Sequence, residues 1–388
     1  MAATDVAAAD VTGTALARRL GAVLASLLGG VFATPSAQAV DLPEDRAEAM
    51  VHVYDGGGTK ATGPALLVRK KIADKVSVTG SYYIDMVSNA SIDVVTQASA
   101  YKENRSEYAL GLDYAYRDAL ITLSAGASRE PDYTANRINL DISQEVFGGM
   151  TTVALGYTRG ADKVGKKGVG FFDDAQHWQY RFGLTQILTP RLIAAANFEA
   201  ISDSGYLGSP YRSARVFGAF VHEEDPRTRT SRAMKFRLIG DVGGLGGVDK
   251  PDLLGRTSLR AEYRYFWDTW AIKAHTLELG ASHYFGDAWL ADAGLRYYTQ
   301  THALFYSDNA PTETRYFTRN RQLSTFNSVG LSAKLAYTVK QVPGQYDVKL
   351  NAAYERVRFK YADFTDVRTG AAYAFDANVL QLFVSATF

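Results

Sequence analysis

The chain contains no cysteine. Disulfide bonds, thiolate metal sites and a cysteine nucleophile are therefore excluded. It also lacks an excess of charge of either sign, because 42 Lys and Arg residues stand against 41 Asp and Glu residues and give a formal net charge of +1 at pH 7. Nucleic-acid binding generally requires a basic excess, so no nucleic acid is expected among the partners.

The chain lacks an apolar run long enough to cross a bilayer as a helix, and its longest apolar stretch lies near the start. Arg18-Arg19 precedes that stretch, residues 20–33, and residues 37–39 form an Ala-Gln-Ala cleavage site. The pattern predicts a secretory signal peptide over 1–39 and a mature chain that begins at Val40. The alternative is a transmembrane anchor, but the run falls short of the roughly 20 residues that a spanning helix needs. The leader before the two arginines is unusually long, which leaves a later translation start open.

Helical periodicity is missing from residue 47 onward, and alternation of polarity takes its place. A period of two is the geometry of a β-strand, because successive side chains point to opposite faces. Five clear apolar rows are Tyr108, Leu110, Leu112 and Tyr114; Trp178, Tyr180, Phe182 and Leu184; Leu192, Ala194, Ala196 and Phe198; Leu259, Ala261, Tyr263 and Tyr265; and Val329, Leu331, Ala333, Leu335 and Tyr337.

The alternation predicts sixteen strands, with residues 205–228 and strand 229–240 the least certain because an extra hairpin there would change the count. The predicted strands are 47–54, 63–72, 76–87, 104–116, 119–130, 136–146, 150–160, 175–188, 191–204, 229–240, 256–267, 271–284, 288–300, 324–339, 345–358 and 375–388. An even count places both termini on one side of a membrane.

The connections between these strands are alternately short and long. Short connections, such as 117–118 and 286–287, are expected on the periplasmic side, with 241–255 as a long exception. Long connections are expected outside, and they are 88–103, 161–174, 205–228, 301–323 and 359–374. This asymmetry is typical of outer-membrane barrels.

A soluble β-sandwich is the alternative fold, since its strands also alternate. Three features favour a membrane barrel of the 40–388 region. Most segments are long enough to cross a bilayer when tilted, whereas soluble strands usually have about five or six residues. The apolar rows often begin or end in Tyr, Trp or Phe, as an interfacial girdle requires. The opposite rows mix small and charged residues, which suits a wet lumen. The sequence therefore predicts an all-β transmembrane antiparallel barrel.

The chain ends on Phe388, which closes the alternating segment 379–388. A final strand that stops on an aromatic residue resembles the C-terminal signal that the outer-membrane assembly machinery recognises. An ordinary edge strand is the alternative interpretation. With the predicted signal peptide, this ending predicts secretion to the periplasm and insertion into the outer membrane of a Gram-negative cell, with that machinery, outer-membrane lipids and lipopolysaccharide as partners.

Several stretches together resemble one bacterial family over nearly the whole mature chain. They are 55–58 (DGGG), 63–70 (GPALLVRK), 88–95 (SNASIDVV), 98–101 (ASAY), 225–229 (DPRTR) and 296–300 (RYYTQ). The resemblance is to an uncharacterised set of Gram-negative outer-membrane proteins, known only as a domain of unknown function. It implies an outer-membrane barrel and no established activity. The family's genes often lie near a flavin transferase and a small lipoprotein, which implies a redox or envelope-maintenance context and a lipoprotein as a candidate partner.

The charged residues of the strands are the candidate functional residues. A charge on the lipid face near the midplane costs roughly 2–4 kcal/mol, so these charges are expected in the lumen or at the rims. The candidates for the lumen are Lys235, Arg237, Arg260, Glu262, Arg264, Asp292, Arg296, Lys349 and Glu355, together with Arg191, Glu199 and Asn351. Two interpretations stay open: salt-bridged struts that close the interior, or a charged constriction that filters solutes.

No pattern in the sequence predicts a catalytic or metal site. The six histidines form no H-E-x-x-H pattern, and G-x-S-x-G is absent. The acidic clusters 173–174 and 222–225 could hold Ca²⁺ or bridge lipopolysaccharide phosphates, but a solvated loop is the more ordinary interpretation. The Gly triplet 56–58 is expected to form an external turn. We therefore expect no enzyme, no cofactor and no metal.

Two functions follow as hypotheses. The first is a porin-like channel for small polar solutes or ions through a mixed-charge lumen. The second is a structural or partner-binding barrel, with a plugged lumen or a bound lipoprotein. Sixteen strands enclose enough width for water, which favours the first.

Overall fold

The computed structural model describes residues 40–89, 101–166, 168–242 and 256–388. The predicted signal peptide, residues 1–39, lies outside the described residues. The described chain forms a closed antiparallel barrel of sixteen strands, and a separate two-stranded hairpin, β10–β11, lies in one connection. The strands are β1 (Arg46–Gly56), β2 (Thr59–Ala73), β3 (Val76–Asn89), β4 (Tyr101–Tyr116), β5 (Ala119–Arg129), β6 (Tyr133–Val146), β7 (Thr151–Lys166), β8 (Phe171–Thr189), β9 (Leu192–Gly205), β10 (Ser213–Val216), β11 (Ala219–His222), β12 (Thr228–Asp241), β13 (Thr257–Asp268), β14 (Lys273–Phe285), β15 (Trp289–Gln300), β16 (Phe326–Val342), β17 (Tyr346–Thr365) and β18 (Ala372–Thr387).

Each predicted strand overlaps one strand of the barrel wall, and the fold prediction is confirmed. Neighbours along the chain pair with one another, and β9 pairs with β12 across the inserted hairpin. The barrel closes where β1 pairs with β18, from Arg46 opposite Thr387 to Gly56 opposite Ala377. Closure leaves no free edge, as a sheet in a bilayer requires.

Two of the external connections that were predicted to be long are short in the structure, so the predicted bounds are wrong. β7 and β8 continue pairing through residues predicted as the loop 161–174, so that only 167–170 connect them. β17 and β18 likewise shorten the predicted loop 359–374 to 366–371. The pairing continues because each further register pair forms backbone hydrogen bonds and cross-strand side-chain contacts that offset the entropy of ordering the residues. The uncertain segment 205–228 does contain a hairpin, but it forms its own sheet and leaves the barrel count unchanged.

The short connections require unusual backbone conformations. Gly148 and Gly149 have φ angles of 67° and 81°, which glycine adopts without a steric penalty. Arg117 adopts a φ of 54° in the turn between β4 and β5. The predicted external turn at the Gly triplet is also present, with Gly57 at a φ of 59°. Residues 243–255 of the long periplasmic connection and residues 90–100 lie outside the described residues.

The two faces of the wall differ as the alternation predicted. Leu110 and Leu331 are 68% and 62% exposed on the outer face. Aromatic side chains pair at that face near the periplasmic end, where the ring centroids of Trp289 and Tyr337 lie 4.5 Å apart. Large exposed apolar side chains are stable there only against lipid. No helix within the described ranges is long and apolar enough to cross a membrane.

The external end carries a packed layer, which we call the cap. It consists of segments 206–227, 269–272, 301–325 and 366–371. An apolar cluster forms its centre, with Trp270, Ile272, Ala303, Tyr306 and Leu323 buried. Val216 bridges Ala310 and Glu224 bridges Phe317, so the two longest cap segments are joined through their backbones.

Candidate functional site: the charged lumen wall and its cap

The inward faces of β12 and β13 carry a cluster of alternating charges. Lys235 Nζ lies 3.4 Å from Glu262 Oε2, and Arg237 Nε lies 3.9 Å from the same oxygen. The register explains this proximity, because Arg237 is directly opposite Glu262 on the adjacent strand. One carboxylate thus serves two cations, and the group keeps a net positive charge. Arg264, opposite Lys235, adds a further cation to this face.

A second pair reaches over an intervening strand. Arg260 on β13 donates from Nη2 to Asp292 Oδ1 on β15 at 2.7 Å. The guanidinium lies across Gly280 of β14, where an added Cβ would overlap it. Gly294 on β15 lies opposite Gly280 in the register. The glycines therefore provide the space in which the arginine lies flat against the wall.

The same arrangement recurs on the other side of the barrel. Asp141, Gly156 and Arg181 are register partners on β6, β7 and β8. Arg181 Nη2 donates to Asp141 Oδ1 at 2.7 Å, and a Cβ on Gly156 would lie 2.6 Å from Arg181 Nε. Arg137 likewise passes over Gly126 to bond Glu107 on β4. We call these three arrangements the glycine-spanned pairs.

The remaining predicted lumen residues also lie on the inward face of a strand, except Arg191, which lies in a turn. Arg296 Nε on β15 is 3.0 Å from Glu278 Oε1 on β14. Gly330 of β16 lies opposite Arg296, and a Cβ added at Gly330 would lie 3.1 Å from Glu355 Oε1 of β17. Lys349 Nζ pairs with Asp347 Oδ2 at 2.6 Å near the periplasmic end. Other members of the predicted set are Glu199, which accepts from Gln179 Nε2, Asn351, which donates to Ser385 Oγ, and Arg191, which lies in the turn before β9 and 4.0 Å from Asp241.

The ion pairs described here join residues on the same strand, on neighbouring or next-neighbouring strands, or, for Arg191, in an adjacent turn. They run along the wall and do not cross the barrel. Their side chains stay partly open to water, with exposed fractions of 36% for Lys235, 32% for Arg260 and 46% for Glu278. The charges therefore coat a wet surface.

Two histidines on this face pair with carboxylates of other strands. His52 Nε2 is 2.7 Å from Asp85 Oδ1 and 2.9 Å from Tyr83 Oη. The spacing of single strands could not reveal this contact, because His52 and Asp85 belong to β1 and β3. Gly63 of β2 lies opposite His52 and separates it from β3. This glycine packs so closely against β3 that an added Cβ would overlap the Ile84 carbonyl, so no side chain stands between His52 and Asp85.

The second histidine lies between two carboxylates. His177 Nδ1 is 2.7 Å from Asp203 Oδ1, and Nε2 is 2.9 Å from Asp162 Oδ2. Tyr133 donates its hydroxyl to the same Asp162. This group joins four strands, β6 to β9, at the external end of the lumen.

The acidic segments 173–174, on β8, and 222–225, in the cap, form bonds within the protein. Asp173 accepts two hydrogen bonds from the Arg227 guanidinium, from Nη1 to Oδ2 at 2.7 Å and from Nη2 to Oδ1 at 2.9 Å. Glu223 Oε1 accepts the backbone N–H of Arg319 at 2.8 Å. Burial, together with the charge of Glu223, raises the pKa of the Asp225 carboxyl well above its usual value. The segments 173–174 and 222–225 are thus largely engaged in loop-to-loop contacts, where the sequence had suggested Ca²⁺ or phosphate bridging as one possibility.

Arg319 is the centre of the cap. Its side chain is 2% exposed, and its Nη2 lies 2.8 Å from Asp308 Oδ1 and donates to the Thr365 carbonyl at 2.6 Å. Its guanidinium carbon lies 4.2 Å from the centroid of the Phe364 ring. One side chain thus joins segment 301–325 to the end of β17.

One further acidic group lies at the external end, where Glu103, Glu130 and Asp132 have carboxylate oxygens within 4.8 Å of one another. Tyr211 of the cap donates its hydroxyl to Asp132, and Arg105 Nε is 4.0 Å from Glu130 Oε1. These groups supply counter-charge and a hydrogen bond within the cluster.

Phe388 lies at the periplasmic end of the seam between β1 and β18. Its backbone N–H donates to the Asp45 carbonyl at 3.1 Å, and the Lys70 ammonium lies 4.8 Å from the centroid of its ring. Lys70 also bonds the Asp45 carboxylate at 2.6 Å, and this bond lowers the pKa of that carboxyl. The terminal residue is therefore bonded to the start of the chain's first strand.

The comparisons with known proteins place the chain in a family. The profile of the family described as "Protein of unknown function (DUF3570)" matches residues 93–359. No curated protein matches the chain.

The chain is similar to solved structures of outer-membrane proteins. A bacterial polysaccharide outer membrane secretin is 8% identical, with a TM-score of 0.52 over 89% of this chain and 99% of that one. A FadL homologue from Pseudomonas aeruginosa is 13% identical over 89% of this chain and 90% of its own, with a TM-score of 0.40. The siderophore receptor PirA from Pseudomonas aeruginosa is 12% identical, with a TM-score of 0.44; the match covers 84% of this chain, which spans 60% of the receptor.

Proposed function

This chain belongs to the DUF3570 family of proteins of unknown function, and for it we propose a porin-like channel that passes small polar solutes or ions across the outer membrane. The observation that carries the proposal is the arrangement of the lumen charges. They pair along the wall and stay partly exposed to water.

The width of the barrel supports this function. A barrel of eight strands is filled by its own side chains, whereas sixteen strands enclose an aqueous channel. The glycine-spanned pairs add to that width, because each arginine lies flat where an ordinary side chain would hold it upright. Together these features favour a water-filled passage.

The balance of charge bears on selectivity. Carboxylates and cations alternate around the wall, so the lumen presents polar contacts to ions of either sign. The cluster around Glu262 is the exception, since Lys235 and Arg237 share one carboxylate. We therefore propose weak ion preference, set mainly at this cluster.

Single-channel conductance in planar bilayers tests the channel. Wild-type protein should conduct. Glu262→Arg should shift the reversal potential toward anion preference, because a cation replaces the carboxylate that Lys235 and Arg237 share. The matched control is Asp55→Arg on the outer face, which should conduct as the wild type does. A correctly inserted, heat-modifiable wild-type barrel that never conducts would contradict the proposal.

A second candidate is a partner-binding barrel, and the cap favours it. Buried side chains such as Arg319 and Trp270 close over part of the external end, which limits free passage. A silent bilayer, combined with a small lipoprotein that co-purifies in stoichiometric amount from native membranes, would support this function over the channel.

We also propose the route to the membrane and the absence of catalysis. Cleavage after Ala39 predicts an intact mass that starts at Val40 for protein from outer-membrane fractions. Deletion of Phe388, which removes its bond to Asp45 and the contact with Lys70, should leave the protein degraded or stalled in the periplasm. Normal amounts of inserted protein after that deletion would argue against recognition of Phe388 by the assembly machinery. We propose no enzymatic activity, and turnover of a substrate by the purified barrel would overturn this.

A further inference from the structure

Three cations on β17 face away from the lumen. Arg356, Arg358 and Lys360 alternate on the same face as Leu350 and Tyr354, which are 48% and 46% exposed. The intervening Val357 is buried on the opposite, inward face. We propose that these three cations bind the phosphate groups of lipopolysaccharide in the outer leaflet.

Their height on the barrel supports this partner. Tyr346 and Tyr354 lie on the outer face eight residues apart, about 26 Å along a strand. At the usual tilt of 35–45° this spans a height of about 20 Å, close to the apolar band of about 25 Å between two aromatic girdles. Tyr354 is then the outer girdle residue, and its hydroxyl donates to Asn378 at 2.7 Å. Arg356 follows on the same face, where lipid phosphates begin.

The charge of the patch is not cancelled by the protein. Arg356 Nη2 and Arg358 Nη1 both approach Asp376 Oδ2, at 3.1 and 3.0 Å. One carboxylate shared by two guanidiniums leaves one positive charge, and Lys360 adds another. The two arginine side chains remain 61% and 49% exposed. A guanidinium has five N–H donors in a planar fork that matches phosphate, so most donors remain available to the leaflet.

The neighbouring side chains indicate a lipid and not a free anion. Arg356 lies opposite Leu331 of β16, and Arg358 lies opposite Val329. Leu331, Val329 and Leu380 are exposed apolar residues of the same outer face. Cations that adjoin an apolar surface match a molecule with a phosphorylated headgroup above acyl chains. This inference does not rest on the channel proposal, since it concerns the opposite face of the wall.

The test compares two double variants of the full-length barrel in detergent. R358Q/K360Q removes two cations and keeps Arg356 as the partner of Asp376. R315Q/R368Q is the matched control, because it removes the same charge from the cap. Purified lipopolysaccharide, the same lipid after removal of its phosphates, and inorganic phosphate as competitor are the probes, and native mass spectrometry measures the bound lipid.

Wild type and control should bind the phosphorylated lipid, and R358Q/K360Q should bind it about tenfold more weakly, because each lost bond is charge-assisted. Removal of the phosphates should weaken binding to the wild type by a similar factor, and inorganic phosphate should not displace the lipid. Equal binding by all three proteins, or equal binding of the dephosphorylated lipid, would overturn the proposal. Displacement by inorganic phosphate would also overturn it, since the patch would then be a site for free anions. Heat-modifiability of each variant confirms that the barrels are folded.

Discussion

Arginines in the lumen wall and arginines in the cap serve opposite purposes. Arg260 lies flat over Gly280, is 32% exposed, and bonds a carboxylate on its own wall. Arg319 is 2% exposed and joins segments that come from different parts of the chain. The difference lies in the neighbouring residues. Gly280 has no side chain, so the Arg260 guanidinium can lie against the wall and remain partly open to water. Around Arg319, the Phe364 ring and the Thr365 carbonyl exclude water from the guanidinium.

The largest expected effect concerns the cap. Arg319→Met should cost about 3–5 kcal/mol in the stability of the cap, because it leaves Asp308 and the Thr365 carbonyl without a buried cation. Hydrogen exchange of residues 301–325 measures this. Arg315→Met in the same segment is the control and should change little, since that side chain is exposed. Equal protection in both variants would show that Arg319 does not hold the cap together.

The next effect separates the two faces of one strand. Ala261→Arg should place a charge in lipid and cost roughly 2–4 kcal/mol if the position is near the midplane, while Glu262→Arg should fold. The chain has no native cysteine, so Ala261→Cys and Glu262→Cys can be labelled without background. An aqueous reagent should reach position 262 and not 261. The reverse pattern would contradict the assignment of inner and outer faces.

A smaller effect is expected at a glycine-spanned pair. Gly280→Val should displace the Arg260 guanidinium into the lumen, lose charge-assisted hydrogen bonds of about 1.5–3 kcal/mol, and lower the conductance. Gly80→Val is the control, because a Cβ there meets only Leu110 at an ordinary 3.8 Å.

A second variant makes the cause testable. Combining Gly280→Val with Arg260→Ser should restore the conductance, because the displaced side chain is gone. A conductance that stays low in the double variant would mean that the valine itself, or a distorted wall, is responsible.

The smallest effect is a pH dependence of the cap. Burial and the charge of Glu223 raise the pKa of Asp225, Glu224 adds to this, and Arg212 and Arg229 oppose it. The folded cap therefore retains the proton above the unfolded pKa of about 3.9, so this contribution is greatest at low pH and falls as the pH rises through the folded pKa. Hydrogen exchange should show a better protected cap at pH 5 than at pH 8.

Two substitutions check this assignment. Asp225→Asn should remove the difference between pH 5 and pH 8. Asp366→Asn should leave it in place, because the Arg368 guanidinium holds the pKa of Asp366 below its usual value, and that carboxyl is ionised throughout the range. A difference that persists in Asp225→Asn would assign the effect to another group.

The sequence predicted the wall well because alternation is a local property. The alternation from Leu259 to Tyr265 can be recognised from that segment alone, without knowing which strands lie beside it. What it could not predict depends on strands that are distant along the chain. His52 contacts Asp85 across Gly63 of the intervening strand, and Arg319 of the cap joins segments that have no periodic pattern in the sequence. The glycine-spanned pairs could be predicted only in part. The alternation places Gly156 and Gly280 at inward positions, but only the register between strands shows which charged residues lie on either side of them.

The seam between β1 and β18 has a consequence for the time course of folding. Its partners, Arg46 and Thr387, lie at opposite ends of the described chain, and Phe388 reaches back to Asp45. Contacts between such distant residues are slow to form, because the entropy of closing the intervening loop must be overcome first. Every other wall strand pairs with the strand that precedes it in the wall, whereas β1 can pair on its second edge only after β18 has formed. Until β18 pairs with β1, the sheet is open and exposes two unpaired edge strands. The protein is most prone to aggregation during that interval.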